Sequence, residues 1–167
     1  TSVAIAGASD LVHEFSGVTS GQWVFSTMLH IPSVAAGQTY LILMSSYSDD
    51  GASNVWSLQT NFNMDTGLVT SEMGGGGTLA LVKDMWVPFR AEIDLDANTF
   101  SEFYNDQLLG SGTWSTGPVQ VQAIDLFANN AGAVYYDNIN LVPESSSIAL
   151  AAAGALGLCL RRRRARA

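Results

Sequence analysis

The chain of 167 residues is long enough to bury one hydrophobic core and leaves no room for a second domain of ordinary size. Five of its seven basic residues lie beyond residue 160, so the stretch from Asp10 to Asp137 sets only Lys83 and Arg90 against fourteen carboxylates. A surface of that sign repels phosphate backbones and anionic lipid, which excludes nucleic-acid binding by this part and leaves neutral glycans and divalent cations as partners.

The opening segment, 1–11, reads in two ways. Ala4-Ile5-Ala6 has the small-x-small form that precedes signal-peptidase cleavage, so the segment is either the remnant of a secretion signal or an ordinary apolar first strand over 3–6. From 12 to 142 the dominant signal is period-two alternation broken by Gly, Asn, Asp and Ser clusters, which predicts half-buried strands and no amphipathic helix. Residues 22–31 put Trp23, Phe25, Thr27, Leu29 and Ile31 on one face. Strands follow over 40–47 and 55–62, the latter aligning Trp56, Leu58, Thr60 and Phe62 before a turn at 63–67. Strands over 68–73 and 78–82 flank Gly74-Gly75-Gly76-Gly77, whose freedom at positive φ suits a hairpin. A phosphate cradle there would need a following helix and a lysine, and neither is present.

Residues 85–95 form the clearest strand, with Val87, Phe89, Ala91, Ile93 and Leu95 inward and Trp86, Pro88, Arg90, Glu92 and Asp94 outward. Asp96-Ala97-Asn98 turns the chain into 99–104, and Asn105-Asp106 turns it again into 107–109. Strands over 119–127 and 134–141 close a set of about ten, the pattern of an all-β, antiparallel sandwich or jelly roll.

Some polar residues stand out against this pattern. Asp49, Asp50 and Asn54 cluster oxygen ligands in one loop, as a calcium site requires, without the spaced third and fourth carboxylates of a strong loop motif. Asp125 and Asp137 each interrupt an apolar strand, where a carboxylate needs hydrogen-bond donors or a cation; loop amides are the expected donors. His13 and His30 are isolated, so neither a catalytic triad nor a zinc site is read. Among the large aromatic residues, Trp86 is the one that alternation turns outward, and it is the candidate for stacking on a sugar.

The last stretch, 143–167, has a different character. Pro143-Glu144 and three serines precede thirteen apolar or small residues over 148–160, predicted as a short helix of roughly 20 Å. The cluster Arg161, Arg162, Arg163 and Arg164, continued by Arg166, then acts as a stop that fixes the cytoplasmic side. The sole cysteine, Cys159, lies in the apolar run, so the rest of the chain has no disulfide. This order of features resembles the PEP-CTERM sorting signal of exopolysaccharide-producing Gram-negative bacteria, with Ser145 where the family has a second proline. The resemblance implies tethering to the inner membrane, processing near Pro143-Glu144 by an exosortase-type enzyme, and a final location at the cell surface or outside the cell.

The second half of the sandwich resembles the concanavalin A-like, laminin-G-like jelly roll. The matching features are the strand 86–95 with its Asp-Leu-Asp turn, the aromatic strand 100–104 leading to Asn105-Asp106, and the segments 123–127 and 134–139. Members of that group bind glycans or serve as adhesive modules, often with calcium. Within it, Glu92-Ile93-Asp94-Leu95-Asp96 resembles the catalytic strand of laminarinase and lichenase glycosidases, which would make Glu92 the nucleophile and Asp96 the acid/base with Asp94 between them. A retaining pair needs carboxyls roughly 5 to 5.5 Å apart, whereas four residues of strand separate backbones by about 13 Å. Arg90 is also placed to pair with Glu92. The expectation is therefore a non-catalytic, exported, lectin-like sandwich that contacts extracellular polysaccharide through Trp86, Arg90, Glu92 and Asp94. A laminarinase-like hydrolase and a purely structural matrix module are the alternatives.

Overall fold

The computed structural model describes residues 2–144. The predicted apolar helix and arginine cluster lie outside the described residues. Twelve strands make up the rest: β1 (Val3–Gly7), β2 (Asp10–Glu14), β3 (Gln22–His30), β4 (Gln38–Ser46), β5 (Val55–Asn63), β6 (Leu68–Ser71), β7 (Thr78–Ala80), β8 (Trp86–Asp94), β9 (Thr99–Tyr104), β10 (Gln107–Thr113), β11 (Ala123–Asn129) and β12 (Ala131–Pro143). They pair antiparallel into two six-stranded sheets, β1-β12-β3-β8-β9-β10 and β2-β11-β4-β5-β6-β7, stacked as a jelly-roll sandwich.

Alternation drives the stacking. Phe25, Leu29, Val87, Phe89, Ala91 and Ile93 project from the first sheet, and Leu41, Leu43, Leu58, Phe62, Ile124 and Leu126 from the second, all buried in one core. Phe62 meets Phe89 and Tyr104 edge to face, with ring centroids 6.1 and 5.8 Å apart, the offset geometry that aromatic quadrupoles favour. The Asn105-Asp106 turn joins β9 to β10 with both residues at positive φ, 49° and 60°, which matches the right-handed twist of the flanking strands.

The glycine run does two things. Gly75 and Gly76 adopt φ of 77° and 78° and turn β6 into β7, as the sequence predicts. Gly74 and Gly77 instead allow contact between the sheets: the Ser111 amide donates to the Gly74 carbonyl at 3.1 Å, and a Cβ on Gly77 would fall on the Leu109 carbonyl oxygen. The edge formed by β7 and β10 is thereby stitched shut. At the opposite edge Leu11, His13, Ile124, Leu126 and Ile139 line an open apolar cleft of about 290 Å³.

The structure has the apolar first strand that is one reading of the opening segment, and it departs from the alternation pattern in four other places. Val3–Gly7 is a strand, paired with β12 and burying Ile5, and β2, unanticipated, spans the predicted start of the sandwich at residue 12. Residues 119–122 are not strand, because the Val121 amide donates to Val18 and the Gln122 amide to Met44 outside the ladder. Register shifts between Leu43 and Met44 and between Met44 and Ser46 turn Trp56 to the outer face, 49% exposed, away from its expected alignment with Leu58. Asp96 lies in the β8–β9 turn and not on the strand face: β8 ends at Asp94, and Asn98 takes the φ of 54° that the turn requires.

Candidate functional site

The predicted face on β8 is assembled as alternation implies, but its groups are already engaged. Arg90 pairs with Glu92 on its own strand, and its guanidinium lies 4.1 Å over the Phe103 ring, a cation–π contact. Asp94 accepts from the Gln22 side-chain amide and the Ala97 backbone amide, each at 2.8 Å, and these two bonds hold its carboxyl below the usual range. Asp96 accepts from the Gly21 amide at 2.9 Å, tying the turn to the start of β3. Each carboxylate of the glycosidase motif thus has a local partner. Trp86 is 44% exposed, with its ring 5.3 Å from His30, which lies 6.1 Å from Tyr135. Glu92 and Asp94, with Gln22, Ser101 and Glu144, border a shallow cleft of about 190 Å³ at the other end of this face.

The loop carrying the calcium candidates braces itself. Asn54 Oδ1 accepts from the Ser48 amide at 2.7 Å, Asp50 Oδ1 from the Ala52 amide at 3.0 Å, and Asp49 Oδ1 from the Tyr47 hydroxyl at 3.1 Å. Among the described residues no three acidic, histidine or cysteine side chains converge as metal ligands.

The outer face of the second sheet is organised differently. Ile42 and Met44 point away from the sandwich, yet they are only 2% and 1% exposed, sheltered together with Ala123 by Val12, Tyr40 and Tyr47. Sheltered outward side chains mean that this face is a trough. The strand register sets Phe127, Tyr40, Asn61 and Thr70 in one row across it and Val12, Asp125, Ile42 and Gln59 in the next. Tyr40 packs on Phe127 with ring centroids 5.9 Å apart.

A polar network occupies the rows. The Tyr40 hydroxyl donates to Gln38 Oε1 at 2.9 Å, and the Asn61 amide donates to Gln38 Oε1 at 3.1 Å and to Glu72 Oε1 at 3.0 Å. The Gln59 amide donates to the other Glu72 oxygen. Two buried acceptors are nevertheless left over. Asn61 Oδ1 and Asp125 Oδ1 are buried with no hydrogen-bond partner, and no described residue donates to the second Asp125 oxygen either. Burial, with a smaller contribution from the charge of Asp10, pushes the Asp125 carboxyl up to about 6. The Tyr40 hydroxyl is raised for the same first reason, with Glu72 adding to it.

Asp125 therefore does not find the loop amides expected for it, whereas Asp137 accepts from the adjacent Asn138 amide at 2.8 Å. Sequence reading flags Asp125 as anomalous but misses Gln38, Tyr40, Gln59, Asn61 and Glu72. They come from β4, β5 and the residue after β6, and each by itself is an ordinary outward side chain.

No protein-family model matches the chain, and no characterised protein matches it in sequence. Solved structures share its fold. A sialidase superposes with a TM-score of 0.63 at 7% identity over 86% of this chain, which spans 15% of that protein. The carbohydrate-binding module CBM66 from Bacillus subtilis gives 0.55 at 12% identity, covering 82% of this chain and 83% of the module. Sheep galectin-11 gives 0.53 at 11% identity, covering 83% and 99%. At such identities the likeness is one of architecture: this chain has the two-sheet jelly roll that also occurs in carbohydrate-binding modules and galectins.

Proposed function

We propose that the chain is a non-catalytic, lectin-like module that binds a glycan in the trough on the outer face of the second sheet. The observation that carries this reading is the pair of buried acceptors, Asn61 Oδ1 and Asp125 Oδ1, left without donors beside Tyr40 and Phe127. An unpaired buried acceptor costs roughly 1–3 kcal/mol, and a sugar hydroxyl brings the missing donor. Aromatic faces next to polar side chains suit the alternating apolar and hydroxylated surfaces of a pyranose. The architecture shared with a carbohydrate-binding module and a galectin points the same way, and the engaged carboxylates on β8 leave the hydrolase reading without a free acid/base pair.

A glycan array followed by calorimetry tests the assignment. Asn61→Ala is expected to weaken binding at least about tenfold, one hydrogen bond to a buried group. Loss with Trp86→Ala and retention with Asn61→Ala would move the site to the β8 face, where Trp86 is the exposed ring. Reducing ends released from β-1,3- or mixed-linkage glucans, above a Glu92→Gln control, would restore the hydrolase reading. No binding to any glycan would leave the structural matrix module.

Export and surface sorting form the second part of the proposal and rest on the order of Pro143, Glu144, the apolar run and Arg161 to Arg164. The described residues add one constraint: Pro143 pairs with Trp23, and the Glu144 amide donates to the Gln22 carbonyl at 2.8 Å, so the dipeptide is held against β3. An exosortase-type enzyme would then act on a frayed end or before β12 docks. Mass spectrometry of the secreted protein is expected to find a C-terminus near residue 144; material still ending at Ala167 would overturn the sorting assignment.

A further inference from the structure

Building on the trough as a glycan site, we infer that its ligand is an amino-sugar polymer with free amines, one of which binds the Asp125 carboxylate as an ammonium group. Among the described residues, every charged side chain facing outward from the second sheet is acidic: Asp10 and Glu14 on β2, Asp125 on β11, and Glu72 after β6. The two cations of the sandwich are elsewhere, Arg90 paired with Glu92 on the opposite sheet and Lys83 donating to the Met64 carbonyl at 3.0 Å. The side-chain amides of Gln59 and Asn61 donate to Glu72 and Gln38, inside the trough itself.

A ligand that adds negative charge, such as a uronate or sulfated polysaccharide, meets no cation on this face and repulsion from four carboxylates. A ligand rich in donors completes Asn61 and Asp125. Hydroxyl groups would serve at Asn61, an amide oxygen. At Asp125 the requirement is stronger: a carboxylate between Val12 and Ile42, flanked on β2 by Asp10 and Glu14, is best satisfied by a charge-assisted bond from a cation. Tyr40 across the trough and Tyr136 behind the sheet are neutral, so they do not supply it. The free amine of a glucosamine-type unit supplies a cation and hydroxyl donors in one residue. Burial of Asp125, which raises its carboxyl to about 6, agrees with a site completed by such a ligand.

Calorimetry at pH 6 and low salt would compare glucosamine hexamers, N-acetylglucosamine hexamers and oligouronates. Wild type should bind the free amine at least about tenfold tighter than its acetylated form, as one charge-assisted bond implies, and should not bind the uronate. Asp125→Asn should bring that ratio close to one. Asp106→Asn, an equal change of charge on the β9–β10 turn, should leave it intact, which separates the site from the general negative field. Equal affinity for the two hexamers, or an amine preference that survives Asp125→Asn, would overturn the assignment. If the acetylated hexamer binds and Asn61→Ala abolishes that binding while the ratio is one, the glycan site stands and the amine assignment falls. If neither hexamer binds wild type, the amine assignment falls, and the glycan reading falls with it only if the glycan array is also blank.

Discussion

Glu102 is the residue whose surroundings are hardest to reconcile with its chemistry. It projects from β9 into the core, 0% exposed, with Thr60 Oγ1 donating to Oε2 at 2.5 Å and Oε1 unpartnered. Burial raises its carboxyl, and the hydroxyls of Ser71 and Thr60 only partly offset that. A carboxyl raised on folding binds its proton more tightly in the folded state than in the unfolded one. Its stabilisation is therefore complete below about pH 4.3, the unfolded value for Glu, and is lost as pH rises beyond it. Asp125 acts in the same sense between about pH 3.9 and about 6. Asp50 and Asp94 are depressed by hydrogen bonds to the carboxylate and oppose both at lower pH. Thermal stability should thus peak at about pH 4 and decline toward neutrality. Glu102→Gln keeps an acceptor for Thr60 and should raise the Tm at pH 7 by roughly 3 °C, with little gain at pH 4. Scanning calorimetry across that range would show it, and an unchanged slope in the variant would remove Glu102 from the account. Asp125→Asn should shift the pH 7 midpoint in the same direction.

At the scale of the elements, the glycine run is the feature with the largest expected consequence. Gly77→Ala places a methyl group against the Leu109 carbonyl, backbone against backbone, which no rotamer relieves. A loss of about 3 kcal/mol or more is expected in chemical denaturation. Gly76→Ala meets nothing within 4 Å but forces a side chain to φ of 78°, so its cost should be nearer about 1 kcal/mol. The order of those two values distinguishes the close approach from the turn. Sequence reading sees the turn half of this role, because positive φ is a property of glycine itself, and not the contact half, because Leu109 is over thirty residues away. The same distinction runs through the fold. Alternation locates β3, β8 and β9 closely because their ladders are regular. It misplaces Trp56 because two bulges reverse the facing of β5's start, and it overlooks β2 because Asp10, His13 and Glu14 do not read as a strand until β11 lies beside them. The trough was the least legible part: Gln38, Tyr40, Asn61 and Glu72 become a site only through register.

Taken as one molecule, the sandwich carries two cations against fourteen carboxylates up to Asp137, and self-repulsion must weaken the folded state. Raising ionic strength from about 0.01 M to 0.15 M shortens the screening length from about 30 Å to about 8 Å, so the Tm should rise by several degrees over that interval. A flat response would mean that the carboxylates are already compensated. The fastening of the two sheets is as lopsided as the charge. Along β7 and β10 the layers are joined backbone to backbone, while the opposite edge, crossed at one end by the Ala8-Ser9 connection whose Ser9 carbonyl accepts from the Ala128 amide, opens into the apolar cleft beneath Leu11 and Ile139. Such an object has a spine and a fore-edge: thermal opening is expected to begin beside the cleft, at β2, whose amides should exchange with solvent long before those of β10.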